Sequence, residues 1–137
     1  MSKAALIVGA GDATGGAIAK AFAREGYVAC VNRRARNADQ LEALAQSIRD
    51  EGYKAHAFPA DARIEDEVVA MVDAIERDVG PIEVAVFNIG ANVNFSVLDM
   101  TAQVYRKVWE MAAFAGFLMA RESARRMVER QSGTIIF

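Results

Sequence analysis

A chain of 137 residues with 53% hydrophobic and 25% charged side chains can build one packed core and is too short for two ordinary domains. Its net charge of −2, with Lys and Arg dispersed among acids, provides no basic face for nucleic acid. No apolar run approaches the roughly 20 residues of a bilayer span, and Met1-Ser2-Lys3 leads into a strand-like segment rather than a signal peptide.

Residues 4–8 form a nearly continuous apolar run closed by Gly9 and predict a first strand. Residues 17–24 place Ile18, Ala21 and Phe22 at helical spacing before Gly26 stops the pattern. A second strand over 27–31 precedes a helix over 38–51, with Leu41, Leu44, Ala45 and Ile48 on one face and Gly52 beyond its end. Residues 54–58 give a third strand and 64–79 a third helix, with Val68, Met71, Val72 and Ile75 inward and Gly80-Pro81 as terminator. The fourth strand is 82–87. After a polar loop, Thr101 is the N-cap of a long helix to about residue 129, with Val104, Val108, Met111, Ala115, Leu118 and Met119 as apolar positions. Gly133 ends it, and 134–137 reads as a fifth strand cut short.

Short β-rich runs alternating with helical stretches are the sequence form of repeated βαβ units. The continuous apolar character of 4–8 and 82–87 fits strands covered by helices on both faces. Right-handed crossovers then imply a Rossmann-type, doubly wound parallel α/β sheet in the order 3-2-1-4-5, with three layers in one domain over 1–137. The domain is expected to be incomplete at its C-terminus. Any nucleotide is expected at the carboxyl ends of strands one and four, where the chain order reverses.

The loop Gly9-Ala10-Gly11-Asp12-Ala13-Thr14-Gly15-Gly16 joins the first strand to the first helix. Glycines there permit tight turning and close approach of a pyrophosphate, and the free N–H groups of the helix start face the anion. The three-glycine dinucleotide fingerprint would place glycine at Thr14, so the match is incomplete. At the end of strand two, an acid would bind the ribose hydroxyls of NAD and an arginine would accommodate the 2′-phosphate of NADP. Here Asn32 stands in the acid's place, followed by Arg33 and Arg34, which points to NADP(H) with NAD possible. Asp12 counts against that choice, and the same arginines with Arg36 also suit a solvated turn.

Other titratable and sulfur-bearing residues carry less. Cys30, the lone cysteine, excludes an intrachain disulfide or cysteine-based zinc site, suits a reducing compartment and reads as a buried strand residue. His56 lies in the third strand without a partner for metal binding or nucleophile activation. Met100, Met111, Met119 and Met127 fit core or subunit-interface positions better than an adaptable binding surface. A cytoplasmic location is expected.

Several separated segments together resemble the short-chain dehydrogenase/reductases over the whole chain. Gly9 to Gly15 resembles that family's glycine motif, with Ala13 in place of its middle glycine. Asp61-Ala62 resembles the pair that contacts adenine, and Phe87-Asn88-Ile89-Gly90 its Asn-Asn-Ala-Gly segment with two substitutions. The resemblance implies that Asp61 accepts a hydrogen bond from the adenine amino group and Ala62 contributes backbone. By itself, Asp61 also suits a helix N-cap or an exposed acid before Ile64. The resemblance further sets Asn88 and Gly90 beside the cofactor, Asn88 tying strand four to its neighbours, although a simple turn also fits them. It implies a homodimer or homotetramer, through packing of the long helix on its copy.

The family's catalytic serine and Tyr-x-x-x-Lys have no counterpart in this chain. None of Lys3, Lys20, Lys54 and Lys107 lies four positions after Tyr27, Tyr53 or Tyr105. A further catalytic asparagine, expected three residues before Gly116, is replaced by Ala113. The expected function is therefore the nucleotide-binding part of an alcohol–carbonyl oxidoreductase acting on a small molecule, with residues 91–96 approaching substrate. The alternative is a non-catalytic nucleotide-binding or interaction module. An S-adenosylmethionine-dependent methyltransferase fits poorly, because it would want an acid near Asn32.

Overall fold

Strand β1 (Ala4–Val8) runs through the middle of the molecule, and all five of its residues are buried. The computed structural model describes residues 2–90 and 93–137. Successive side chains of a strand point to opposite faces, and β1 feeds two cores accordingly. Ala4, Leu6 and Val8 join Val68, Ile75, Leu118 and Met119 on one face, while Ala5 and Ile7 join Ala19, Leu41, Ala45 and Ile48 on the other. The apolar run reads as continuous because both faces are covered by helices.

The other strands are β2 (Val28–Arg33), β3 (Ala55–Pro59), β4 (Ile82–Phe87) and β5 (Thr134–Ile136). All pairings are parallel and the order is β3-β2-β1-β4-β5, as right-handed crossovers require. Helices α1 (Thr14–Arg24) and α2 (Ala38–Asp50) pack on one face, and α3 (Glu65–Asp78) on the other. A 3₁₀ turn over Ala35–Asn37 leads into α2. His56 is exposed on the edge strand β3, whereas Cys30 is fully buried in β2, where burial pushes its thiol up to about 12.

Two boundaries differ from the sequence expectation by more than one residue. β2 continues through Asn32 and Arg33, which pair with Val8 and Pro59, so the strand's polar end is held by its ladder rather than by hydropathy. Helix α1 starts at Thr14 rather than at 17, and buries Gly15, Gly16, Ala19 and Ala23. Ala21 is exposed, while Ile18 and Phe22 are half-buried. Glycine is a poor helix former, but a side chain at Gly15 would collide with the Gly9 carbonyl oxygen and stand 2.7 Å from Ala10 Cα.

The long helix expected from Thr101 onward is interrupted. Thr101 Oγ1 accepts from the Val104 N–H at 3.2 Å and caps α4 (Ala102–Trp109), which passes through a π-helical turn at Glu110–Phe114 into α5 (Ala115–Arg130). A π turn carries more residues per turn than an α-helix, so the apolar face shifts around the axis. Ala115, Leu118, Met119 and Met127 are buried, but Val104, Val108 and Met111 are only half-buried. Among the described residues no helix is long and apolar enough to cross a membrane.

Gly15→Ala is expected to lower the unfolding free energy by about 1–3 kcal/mol, because the added methyl meets backbone that cannot yield cheaply. A side chain at Gly11 meets nothing within 4 Å, so Gly11→Ala stays within about 0.5 kcal/mol of the parent. Urea unfolding of both variants checks this; equal losses would refute the close-packing account.

Candidate functional site

Four strand ends open on one side of the sheet, and a cleft of about 260 Å³ lies among the loops that follow them. Gly9 and Gly11 come from the loop after β1, and Asn32, Arg33 and Arg34 from the end of β2 and just beyond. The loop after β3 contributes Ala60, Asp61, Ala62 and Arg63, and the segment after β4 contributes Asn88, Ile89 and Gly90. Arg36, Asn37 and Met111 complete the lining.

Close backbone packing sets the floor of this cleft. Gly9 has φ +87°, a conformation that disfavours any side chain, and a Cβ there would lie 2.7 Å from the Asn88 carbonyl oxygen. The Asn88 N–H donates to the Val8 carbonyl at 2.8 Å, and Asn88 Nδ2 donates to the Gly9 carbonyl at 3.2 Å. The β1 and β4 ends are thereby fixed against each other.

Asn32 performs a similar task on the other side. Buried to 1% exposure, it donates through Nδ2 to the Phe58 and Ala60 carbonyls at 2.9 and 3.1 Å. Its own carbonyl accepts from the Gly9 and Ala10 N–H groups. The side chain is thus engaged in joining β2 to the exit of β3, where an acid would set an anion against two carbonyl oxygens.

Asp61 forms a fork with Arg63. Arg63 Nε donates to Oδ1 at 3.0 Å and Nη2 to Oδ2 at 2.7 Å, while the Arg63 backbone N–H donates to Oδ1 at 3.0 Å. The Arg63 guanidinium, helped by the nearby charge of Arg34, holds the Asp61 carboxyl below the usual carboxylate range. Asp61 does not cap α3, whose N-cap is Ile64. Instead its side chain organises the turn before that helix.

Four arginines and one carboxylate line the cleft, in a chain whose net charge is negative. Basic groups concentrated beside a glycine loop form a site for a polyanion. The adjoining α1 helix begins without a side-chain cap, which leaves the N-terminal end of its dipole open to negative charge.

Of the residues singled out in the sequence, those at the end of β2 and just after β2, β3 and β4 meet in the cleft together with Gly9 and Gly11. Asp12, Ala13 and Thr14 are exposed outside it, and Gly15 is buried beneath the loop. Ala91 and Asn92, in the loop expected to approach substrate, lie outside the described residues. Arg63 was not singled out, although its spacing from Asp61 in Asp-x-Arg is the signal for such a turn. Met111, expected in the core or at a subunit interface, lies in the π turn and lines the cleft.

A family model described as short chain dehydrogenase matches residues 3–137. The chain is 30% identical over 134 residues to the 2-dehydro-3-deoxy-D-gluconate 5-dehydrogenase of Formosa agariphila, a match covering 98% of this chain and 50% of that protein. The crystal structure of a short-chain dehydrogenase from Rhodopseudomonas palustris is similar with a TM-score of 0.91 at 46% identity, over 97% of this chain and 61% of that one. A variant of actinorhodin polyketide ketoreductase, solved with NADPH, is similar with a TM-score of 0.91 at 26% identity, over 98% of this chain and 51% of that one. The chain spans about half the length of the curated relatives it matches.

The Asp61–Arg63 fork has a consequence in acid. The folded carboxyl binds its proton less readily than the unfolded one, whose ordinary value is 3.8. Its contribution to stability is therefore fully present above that value and is lost as pH falls through the lower folded value. Asp61→Asn should flatten the stability curve below about pH 4, as measured by urea midpoints from pH 6 to pH 2.5. An unchanged acid limb would refute the assignment.

Proposed function

This chain belongs to the short-chain dehydrogenase family, and on that premise we propose that its cleft binds NADP(H), with NAD(H) the weaker alternative, for interconversion of an alcohol and a carbonyl. The observation that carries this reading is the cluster of arginines around a glycine-floored cleft at the carboxyl ends of β1 and β4. Arg33 and Arg34 follow the strand end at which a 2′-phosphate is read in dinucleotide folds. Guanidinium groups suit a phosphate dianion because they donate in a planar fork and stay charged. The NADPH complex of the similar ketoreductase supports the same choice.

The residues present fit such a group. Gly9 holds the floor of the cleft open, because any side chain there would strike Asn88. In this reading Gly11, Asp12, Ala13 and Thr14 carry the uncapped start of α1 toward the pyrophosphate, and Gly15, buried beneath them, lets that turn pack close. Asp61 and Ala62 receive the adenine, while Asn88, Ile89 and Gly90 border the ribose. Bound NADP(H) supplies the hydride chemistry. Asn32 acts by positioning, since its amide keeps the β2 and β3 ends together beneath the phosphate-reading arginines.

Proton transfer is a separate requirement, and a positioned donor of suitable pKa must deliver it. The 137 residues contain no tyrosine followed four positions later by lysine, so in this reading they supply nucleotide binding and not the proton donor. The exposed aromatic residues Tyr105, Trp109 and Phe117 on α4 and α5 support self-association. The small-molecule substrate is an alcohol or its carbonyl.

Two measurements test the reading. Replacing Arg33 and Arg34 by alanine should weaken NADP(H) far more than NAD(H), by about 1.5–3 kcal/mol per lost charge-assisted contact. Equal weakening of both would show that the arginines do not read the 2′-phosphate. The 137-residue chain should also oxidise no NADPH against a panel of ketones. Turnover at a rate comparable to a complete dehydrogenase of the family would overturn the assignment of proton transfer.

A further inference from the structure

Arg63 has no role of its own in the reading above beyond its charge, yet three hydrogen bonds tie it to the Asp61 carboxylate, a group that the reading uses. A carboxylate offers about four lone-pair positions to donors. On Asp61, Oδ1 receives both the backbone N–H and Nε of Arg63, and Oδ2 receives Nη2. Oδ1 is therefore filled, and Oδ2 retains one position. Arg63 is itself constrained, since it lines the same cleft and its charge is favoured by Glu110 of the π turn as well as by Asp61.

An unrestrained aspartate at a loop could rotate, offering either oxygen to any donor or to water. The fork removes that freedom. We propose that Arg63 is a positioning residue whose guanidinium fixes the Asp61 carboxylate so that one acceptor position on Oδ2 faces the exocyclic amine of adenine. This rests on the dinucleotide reading above and deepens it. The single remaining acceptor complements a 6-amino purine and opposes a 6-oxo purine, whose ring carbonyl would bring a second acceptor to the same place. Selection between the two bases thereby comes from a lost partner on one side and a clash of acceptors on the other.

The test compares NADPH and NADH with their hypoxanthine analogues, titrated by nucleotide fluorescence against the parent protein, Asp61→Ala, Arg63→Ala and Arg63→Lys. The parent should prefer adenine by about tenfold, the size of one hydrogen bond to a charged group at the low end of its range. Asp61→Ala should abolish the preference. Arg63→Lys keeps the positive charge but not the fork, so it should retain affinity for the hypoxanthine analogue while most of the preference disappears. Arg63→Ala should lose the preference and weaken both ligands together. Because the readout is a ratio of two ligands on one variant, a smaller folded fraction cancels. Preference retained in Arg63→Lys overturns the proposal, as does preference retained in Arg63→Ala. A parent that binds both bases alike, or binds no dinucleotide, overturns the reading of Asp61 itself and the proposal with it.

Discussion

Everything at the carboxyl end of the sheet depends on three backbone segments meeting where two of them carry no side chain. Gly9, Gly15 and Asn88 come from the end of β1, the first turn of α1 and the end of β4. A methyl group at either glycine would occupy space that already holds main-chain atoms. The contact fixes how far α1 can slide along the sheet, how closely the β1 and β4 loops approach, and where the cleft between them opens. Interiors this dense do not deform continuously; a single methylene would shift whole elements.

Asn32 makes the same point with hydrogen bonds. One buried amide and one backbone carbonyl connect β2 to the β1 loop and to the exit of β3. The position where nucleotide folds choose between an acid and a neutral residue is here also a structural joint. Under the proposed dinucleotide reading, cofactor choice and loop geometry meet at this one side chain. The side chains of the arginines that follow are free of that duty, and Arg33 and Arg34 border the cleft without a salt bridge among the described residues.

The sheet and its order were legible because burial on both faces writes strands as unbroken apolar runs, and because crossover handedness leaves few topologies. Strand ends were less legible, since Asn32 and Arg33 are held by pairing and hydrogen bonds that hydropathy does not register. The start of α1 was hidden for the opposite reason: Thr14, Gly15 and Gly16 are poor helix formers used where two backbones must touch. The break in the long helix had no apolar signature, because residues on both sides keep helical spacing and only the π turn rotates one part against the other. Within the cleft, glycines and strand-end polar residues declared themselves by position. Arg63 did not, because its importance lies in a two-residue turn with Asp61 rather than in a motif.

Cys30 shows what this close burial means in time. The sole thiol sits in β2, paired through the ladder to Leu6 on one side and His56 on the other, with no accessible surface. A reagent in solution reacts with thiolate, and burial both hides the sulfur and pushes its ionisation up to about 12. Modification must therefore wait for the sheet itself to part. Under conditions where reclosing outruns reaction, the labelling rate reports the population of opened molecules. The interior of the sheet thus carries a built-in gauge of its own opening.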